Sequence, residues 1–529
     1  MKEGFRQAMA WLHTWTGLVF GWLLFAIFLT GTLAYFKDET THWMQPEIHA
    51  HPLDAEKSLT LAQHYLQQNA PDASRWIVGL PDARDPGLSV GWQQTPAKPG
   101  ERGAFTRKTL DAQTGAEVQP RESMGGEFFY RFHFQLQMPY PWGRWLSTIA
   151  AMVMFVALIT GIITHKKIFK DFFTFRPRKG QRSWLDGHNA VGVLVLPFHL
   201  MITYSSLVIF MSMVMPASIL ASYGNNVRAF YDEVFPETSI PERANQPATL
   251  APLAPLLLAA SEQWSGGRAG RISVNNPGDA NASVVMSRAG SDRVVNDSGS
   301  ALTFSGVSGQ VIGTTPDQPM AMAVAGSFYG LHMGHFAGPV LRWLYFICGL
   351  AGTAMIGTGL VIWLGKRQLK HAKTGVMPFE LRLVEVLNIA SMAGLVAAVA
   401  VFFWANRLLS VSLAGRDDWE VNAFFITWGL SVVHAMLRPG RKAWVEQLSL
   451  GAALFVAVPL LNGLTSPYHL GVTVSEGDWT LAGFDFTCLG SGLFLAWAAR
   501  KMQRAGHTVN VKKPAREKAR PITLEQGAN

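Results

Sequence analysis

Between Trp15 and Phe36 the chain carries no charged residue. An α-helix rises about 1.5 Å per residue, so a run of that length covers the roughly 30 Å hydrocarbon layer of a bilayer. Similar apolar blocks recur along all 529 residues. Hydropathy places eight spans at about 9–36, 142–165, 188–214, 339–364, 383–405, 419–437, 447–463 and 481–499, the last four being the less clean. Only 15% of residues are charged, against about 25% in an ordinary globular chain. A soluble enzyme, a disulfide framework and a largely disordered chain are all excluded. The first apolar run is too long for a cleaved leader and holds His13, Trp15 and Trp22, so it reads as a retained span.

Basic residues set the expected orientation. They gather at 166–182 (Lys166, Lys167, Lys170, Arg176, Arg178, Lys179, Arg182), after the fourth span (Lys366, Arg367, Lys370, Lys373), after the sixth (Arg438, Arg441, Lys442) and in the tail (Lys512, Lys513, Arg516, Lys518, Arg520). With eight spans all four groups fall on one side, expected to be the cytoplasm together with both termini. The net charge of +9 then reflects topology, and nucleic acid is not expected as a partner. Cys348 and Cys488 sit in apolar runs, and no Cys-x-x-Cys exists. That excludes a c-type haem attachment and an all-cysteine iron–sulfur cluster within the chain.

Two long connections, 37–138 and 216–330, lie on the opposite face. Each has a helix-like stretch (Leu59 to Gln68; Leu250 to Gln263) and then short alternating runs such as Arg271 to Val274 and Ser283 to Met286. Each closes on a turn in which Gly115 or Gly309 stands where φ > 0 is wanted. Two small α+β domains are expected there.

The chain also repeats itself. His13 and His188 are each followed four residues later by glycine, Gly17 and Gly192. Phe132-His133 precedes Gly143-Arg144-Trp145 and Thr160-Gly161; Leu331-His332 precedes Leu341-Arg342-Trp343 and Thr358-Gly359. Two copies of span, outer domain and span follow, over about 9–165 and 188–364. They share one orientation, so their pseudo-twofold axis runs along the bilayer normal.

Histidines at membrane depth are costly and usually functional. Haem b takes two imidazoles on opposite faces of one ring. The repeated pair His13 and His188 would supply both, with Gly17 and Gly192 leaving room for the ring. His133 and His332 would do the same at the outer edge. His199 lies eleven residues after His188, on the same helical face about 16 Å along the axis, and competes with His133 or His332 as an outer ligand. A single membrane histidine is ordinarily a helix–helix hydrogen-bond partner. His165 reads equally as an interfacial residue, and His335 is not taken as a ligand. The Thr-Gly pairs, Thr30-Gly31 included, read as helix-packing positions. His42, His49, His51 and His64 are read as surface residues, and His434 has no assigned role. No residue is marked as catalytic.

Leu12-His13-x-Trp15-x-Gly17, outer domains closing on Asp-x-x-Thr-Gly (Asp111 to Gly115), and the Gly-Arg-Trp…Thr-Gly span resemble the PepSY-associated transmembrane proteins over about 9–364. The Leu196-Pro-Phe-His199 run is similar to the larger members. The resemblance, to a family whose best-understood members are the FoxB and PiuB types, implies an all-α polytopic bacterial inner-membrane protein with a duplicated four-helix haem core. It implies two periplasmic PepSY-like domains (37–138 and 216–330), a basic cytoplasmic loop at 166–187 and a basic tail at 500–529. The implied activity is a ferric-siderophore reductase with two b haems, its iron held by histidines among His13, His188, His133, His199, His332 and His165. Implied partners are the ferric siderophore, membrane lipid, a cytoplasmic or quinol electron donor, and a periplasmic binding protein or transporter. No Gly-x-Gly-x-x-Gly follows a strand, so no NAD or FAD site is expected. The other class open to the residues is a transporter or assembly factor that uses membrane histidines as a proton or metal relay. The four spans across 383–499 have no counterpart in the short relatives.

Overall fold

The computed structural model describes residues 3–96, 103–165, 176, 179–234, 241–295, 300–316, 319–371 and 377–504. Lys166, Lys167, Lys170, Arg178, Lys373 and the basic residues of the tail named above lie outside the described residues.

Among the described residues, seven helices are long and apolar enough to cross a bilayer. They are α1 (Glu3–Ala34), α5 (Trp142–Thr164), α10 (Pro339–His371), α11 (Phe379–Leu408), α12 (Arg416–Leu437), α13 (Arg441–Thr465) and α14 (Trp479–Arg504). The expected third span is not one helix. It is α6 (Gln181–Leu194) followed by α7 (Leu196–Ile209), bent by 67° at the break. Pro197 at the start of α7 lacks an N–H and cannot continue the ladder of α6. His188 and His199 therefore do not share one straight helical face. With α6 and α7 counted as one crossing, the total is eight.

The first half of the chain forms the duplicated core. α1 packs on α5 and α10, α10 packs on α6, and α5 packs on α7. Two shorter helices, α4 (Glu127–Gln135) and α9 (Met320–Met333), lead back from the connections and lie against α1 and α7 respectively. They carry His133 and His332, so both residues belong to the helical half.

The two connections each build four antiparallel strands, but not two separate domains. β1 (Arg75–Gly79), β2 (Leu88–Gln93), β3 (Phe105–Leu110) and β4 (Glu117–Val118) form the first half. β5 (Ala269–Asn275), β6 (Ser283–Arg288), β7 (Ala301–Ser305) and β8 (Val311–Thr314) form the second. They join edge to edge into one eight-stranded sheet of order β4-β3-β2-β1-β5-β6-β7-β8. Alone, each half would leave a bare strand edge. β1 and β5 satisfy each other in antiparallel register, with Ile77 opposite Ser273. Trp76, Val78, Ile272, Val274 and Phe304 share one buried cluster with Leu59 and Leu66 of α3 (Ala55–Asn69) and Leu256 of α8 (Ala254–Gln263). Gln63 stitches the halves further, accepting from the Leu253 amide and donating to the Ala251 carbonyl. Gly115 and Gly309 both have φ of +71°, as the hairpin turns require.

The last four spans pack against the first half through buried charge. Arg416, Glu420 and Asp485 are fully buried. Glu420 pairs with Arg416, accepts from Asn406 Nδ2 at 2.7 Å, and accepts from the Ser123 hydroxyl at 2.7 Å. Asp485 accepts from Trp43 Nε1 at 3.0 Å and from Asn462. Arg407 stacks 4.1 Å from the Trp43 ring centre and donates to the Trp43 carbonyl. These contacts fasten α2 (Lys37–Met44) and the lead-in to α4.

Candidate functional site

Four of the six candidate histidines come together as two pairs. His13 on α1 faces His188 on α6 with ring centres 6.4 Å apart. His133 on α4 faces His332 on α9 at 6.1 Å. Each ring is held through Nδ1. His13 donates to the Ala157 carbonyl at 2.8 Å, and His188 to the Met355 carbonyl at 2.9 Å. His133 donates to the Ile27 carbonyl at 2.8 Å. His332 reaches the Ser205 hydroxyl at 2.8 Å, which donates onward to the Ile202 carbonyl. A carbonyl only accepts, so Nδ1 carries the proton at the first three positions and Nε2 keeps its lone pair. None of the four Nε2 atoms has a hydrogen-bond partner among the described residues.

A glycine stands one turn beyond three of these carbonyls. A Cβ on Gly161 would lie 3.2 Å from the His13 ring, and one on Gly359 3.3 Å from His188. On Gly31 it would collide with His133 Nδ1. In the fourth case the residue four places beyond Ile202 is Ser206 and not glycine. The Thr-Gly pairs thus do pack helices, and what their glycines admit is an imidazole. Gly17 faces open space, whereas Gly192 packs against Met355. Ile27 is fourteen residues along α1 from His13, so the two pairs stand roughly 20 Å apart by helical rise.

The other candidates are not paired. His199 is fully buried, and neither ring nitrogen has a hydrogen-bond partner. Thr203, one turn on, is equally unpartnered. His165 ends α5, its amide bonded to the Gly161 carbonyl beside the first pair. His335 lines the cleft described next. His434 accepts through Nδ1 from the Gln447 side-chain amide and pairs through Nε2 with Glu446 at 3.0 Å, a link between α12 and α13. His42 is buried rather than exposed.

The sheet-side pair opens on a cleft of about 290 Å³, at the lower end of small-ligand pockets. His133 and His332 share its wall with apolar side chains such as Leu24, Met154 and Phe198, and Lys37, Arg84 and Arg144 also line it.

Among the described residues no group of three or more His, Cys, Asp or Glu is placed to hold a bare metal ion. The histidines come in twos, which suits a metal whose other ligands belong to a ring. Two imidazoles bound through Nε2 on opposite sides of one metal, at about 2 Å each, would have ring centres roughly 6 Å apart. Ligating histidines also commonly donate the other ring N–H to a carbonyl. The ring spacing and Nδ1 tethers of both pairs suit two imidazoles shared by one metal ion, the kind of ligand set haem b takes.

Sequence reasoning missed the tethers, because a main-chain carbonyl leaves no mark in the residue string. It also missed Arg407, Arg416, Glu420 and Asp485, although charges inside apolar spans are a readable signal. The sequence pattern of the PepSY-associated TM region matches residues 10–366. No curated protein matches the chain.

Proposed function

The chain belongs to the PepSY-associated transmembrane family, and from that premise we propose that it is a di-haem b electron-transfer protein of the bacterial inner membrane. It reduces Fe(III)-siderophores on the periplasmic side, where the sheet lies, and so releases Fe(II). The observation that carries this reading is the pair of facing histidine pairs, each with Nδ1 tethered and Nε2 free.

His13 and His188 hold one haem, and His133 and His332 the other. Bound there, haem b supplies one-electron redox chemistry that no side chain offers. The Ala157, Met355 and Ile27 carbonyls fix the tautomer and raise the basicity of the ligating nitrogens. Leu24, Met154 and Phe198 keep the sheet-side site apolar and restrict water. The sheet stands over that end and offers a surface for a chelate too large to enter the bundle. Ferrous iron binds hard oxygen donors more weakly than ferric iron, so reduction frees the metal. With no dinucleotide motif, the donor is a quinol or a separate reductase.

The test is direct. Protein produced with ample haem supply is assayed by pyridine haemochrome. It is then reduced with dithionite and mixed anaerobically with a ferric siderophore in the presence of ferrozine. Two b haems per chain, fast reoxidation and ferrozine-captured Fe(II) support the reading. Protein without b haem turns the same histidines into a proton or metal relay, as in a transporter or assembly factor. Haems that reoxidise only with a periplasmic protein make a partner, and not the siderophore, the acceptor.

A further inference from the structure

This inference rests on the haem reading and deepens it. Arg144 and Arg342 occupy matching places in the two copies, near the starts of α5 and α10, yet their surroundings differ. Arg342 is buried; its Nη1 lies 2.7 Å from Glu39 Oε1 and its Nη2 donates to the Ala337 carbonyl at 2.9 Å. Arg84 takes the remaining acid, 2.8 Å from Glu39 and 3.0 Å from Asp38. Lys37 is matched by Asp38 and Glu127. Asp38 and Glu39 come from α2, and the matching stretch of the second copy, Ser212-Met213-Val214, carries no charge. The pseudo-twofold is therefore broken at this end of the molecule.

Arg144 is left over. It lines the cleft and has no carboxylate within ion-pair distance among the described residues. Its one side-chain hydrogen bond runs from Nε to Gln135 Oε1 at 3.3 Å, and its guanidinium lies 5.2 Å from the ring centres of Phe134 and Tyr140. A partly desolvated guanidinium clamped by two aromatic rings, with its Nη atoms unclaimed, is a fork for a carboxylate. A b-type ring carries both of its carboxylates along one edge. We propose that Arg144 binds that edge of the ring held by His133 and His332, and that it selects one of the two orientations a twofold cleft would otherwise admit. At the matching place of the second copy the Arg342 Nη atoms are already taken by Glu39 and the Ala337 carbonyl, so they offer no equivalent seat for a carboxylate.

The experiment uses full-length protein carrying its haems, with the first-pair haem as an internal control for folding. Arg144→Leu should release the sheet-side haem to an apoprotein acceptor roughly ten-fold faster or more, the scale of one lost charge-assisted hydrogen bond. Its midpoint potential should fall while that of the first haem holds, because a cation that favours the reduced ring is gone. Arg144→Lys should recover part of both. Glu39→Gln, which frees the Arg342 fork, should double the haem-methyl signals in proton NMR as the second orientation fills. Arg144→Leu protein with wild-type release, wild-type potentials and a single set of haem signals overturns the inference and leaves the haem reading standing. Wild-type protein without b haem overturns both.

Discussion

Gly31 stands against His133 so closely that a Cβ in its place would collide with the ring Nδ1. The same ring donates to the Ile27 carbonyl one turn earlier. The missing side chain and the exposed carbonyl together form the seat of the imidazole. Gly31→Val should therefore displace His133 and halve the haem content. Gly161→Ala, where the approach is 3.2 Å, should leave the content near wild type with a shifted spectrum. Pyridine haemochrome and low-temperature spectra read both, and a Gly31→Val protein with full haem content would show that the seat is not needed.

The fate of His199 separates two ligand schemes. Its place in the sequence makes it a rival of His133 and His332, but the bend between α6 and α7 breaks the straight helix that would carry it to their level. Replacing His332 by Ala should remove one haem. Replacing His199 by Ala should leave two. A His199→Ala protein that loses the sheet-side haem while His332→Ala keeps it would reverse the assignment.

Much of this architecture could be read from residue order alone. Charge-free runs mark the spans because a bilayer penalises every exception. The histidine repeat marks the pairs, because His13 and His188 recur in matching contexts. The merger of the two outer units was hidden. β1 and β5 lie far apart in the chain, and two bare edges look the same whether they pair with each other or stay capped. The tethers were hidden because Ala157, Met355 and Ile27 contribute only main chain. The role of the last four spans was open to inspection through Arg407, Arg416, Glu420 and Asp485, whose charges in apolar helices demand partners.

Those charges yield a stability prediction. Glu420 is fully buried and serves Arg416, Asn406 and Ser123 at once. Glu420→Ala strands the Arg416 guanidinium, and breaking such a pair costs about 3–5 kcal/mol. The double change Arg416→Met with Glu420→Leu removes both charges and should restore most of that loss. Thermal unfolding in detergent, followed by tryptophan fluorescence, measures the difference. A double variant as unstable as the single one would show that the pair is not the main term.

The last prediction concerns acid. Asp111 closes the first hairpin turn, accepting from the His51 ring at 2.8 Å, from the Thr114 hydroxyl at 2.8 Å, and from the amides of Gln113 and Thr114. Partial burial pushes its carboxyl up, but the hydrogen bonds from His51, Thr114 and Gln113 outweigh that and hold it at about 2. An unfolded aspartate titrates near ~3.9. A depressed folded value means that the carboxylate stabilises the turn fully above the unfolded value, and that this support fades as pH falls toward 2. Protease cutting within residues 103–118 should therefore be slow at pH 5 and rise steeply between pH 4 and 2 in wild-type protein, read with an acid-active protease and mass spectrometry. Asp111→Asn should show a much shallower rise across that window, because its amide does not titrate and only neighbours such as Glu117 still do. If the two proteins show the same pH profile, the turn is held by something other than this carboxylate.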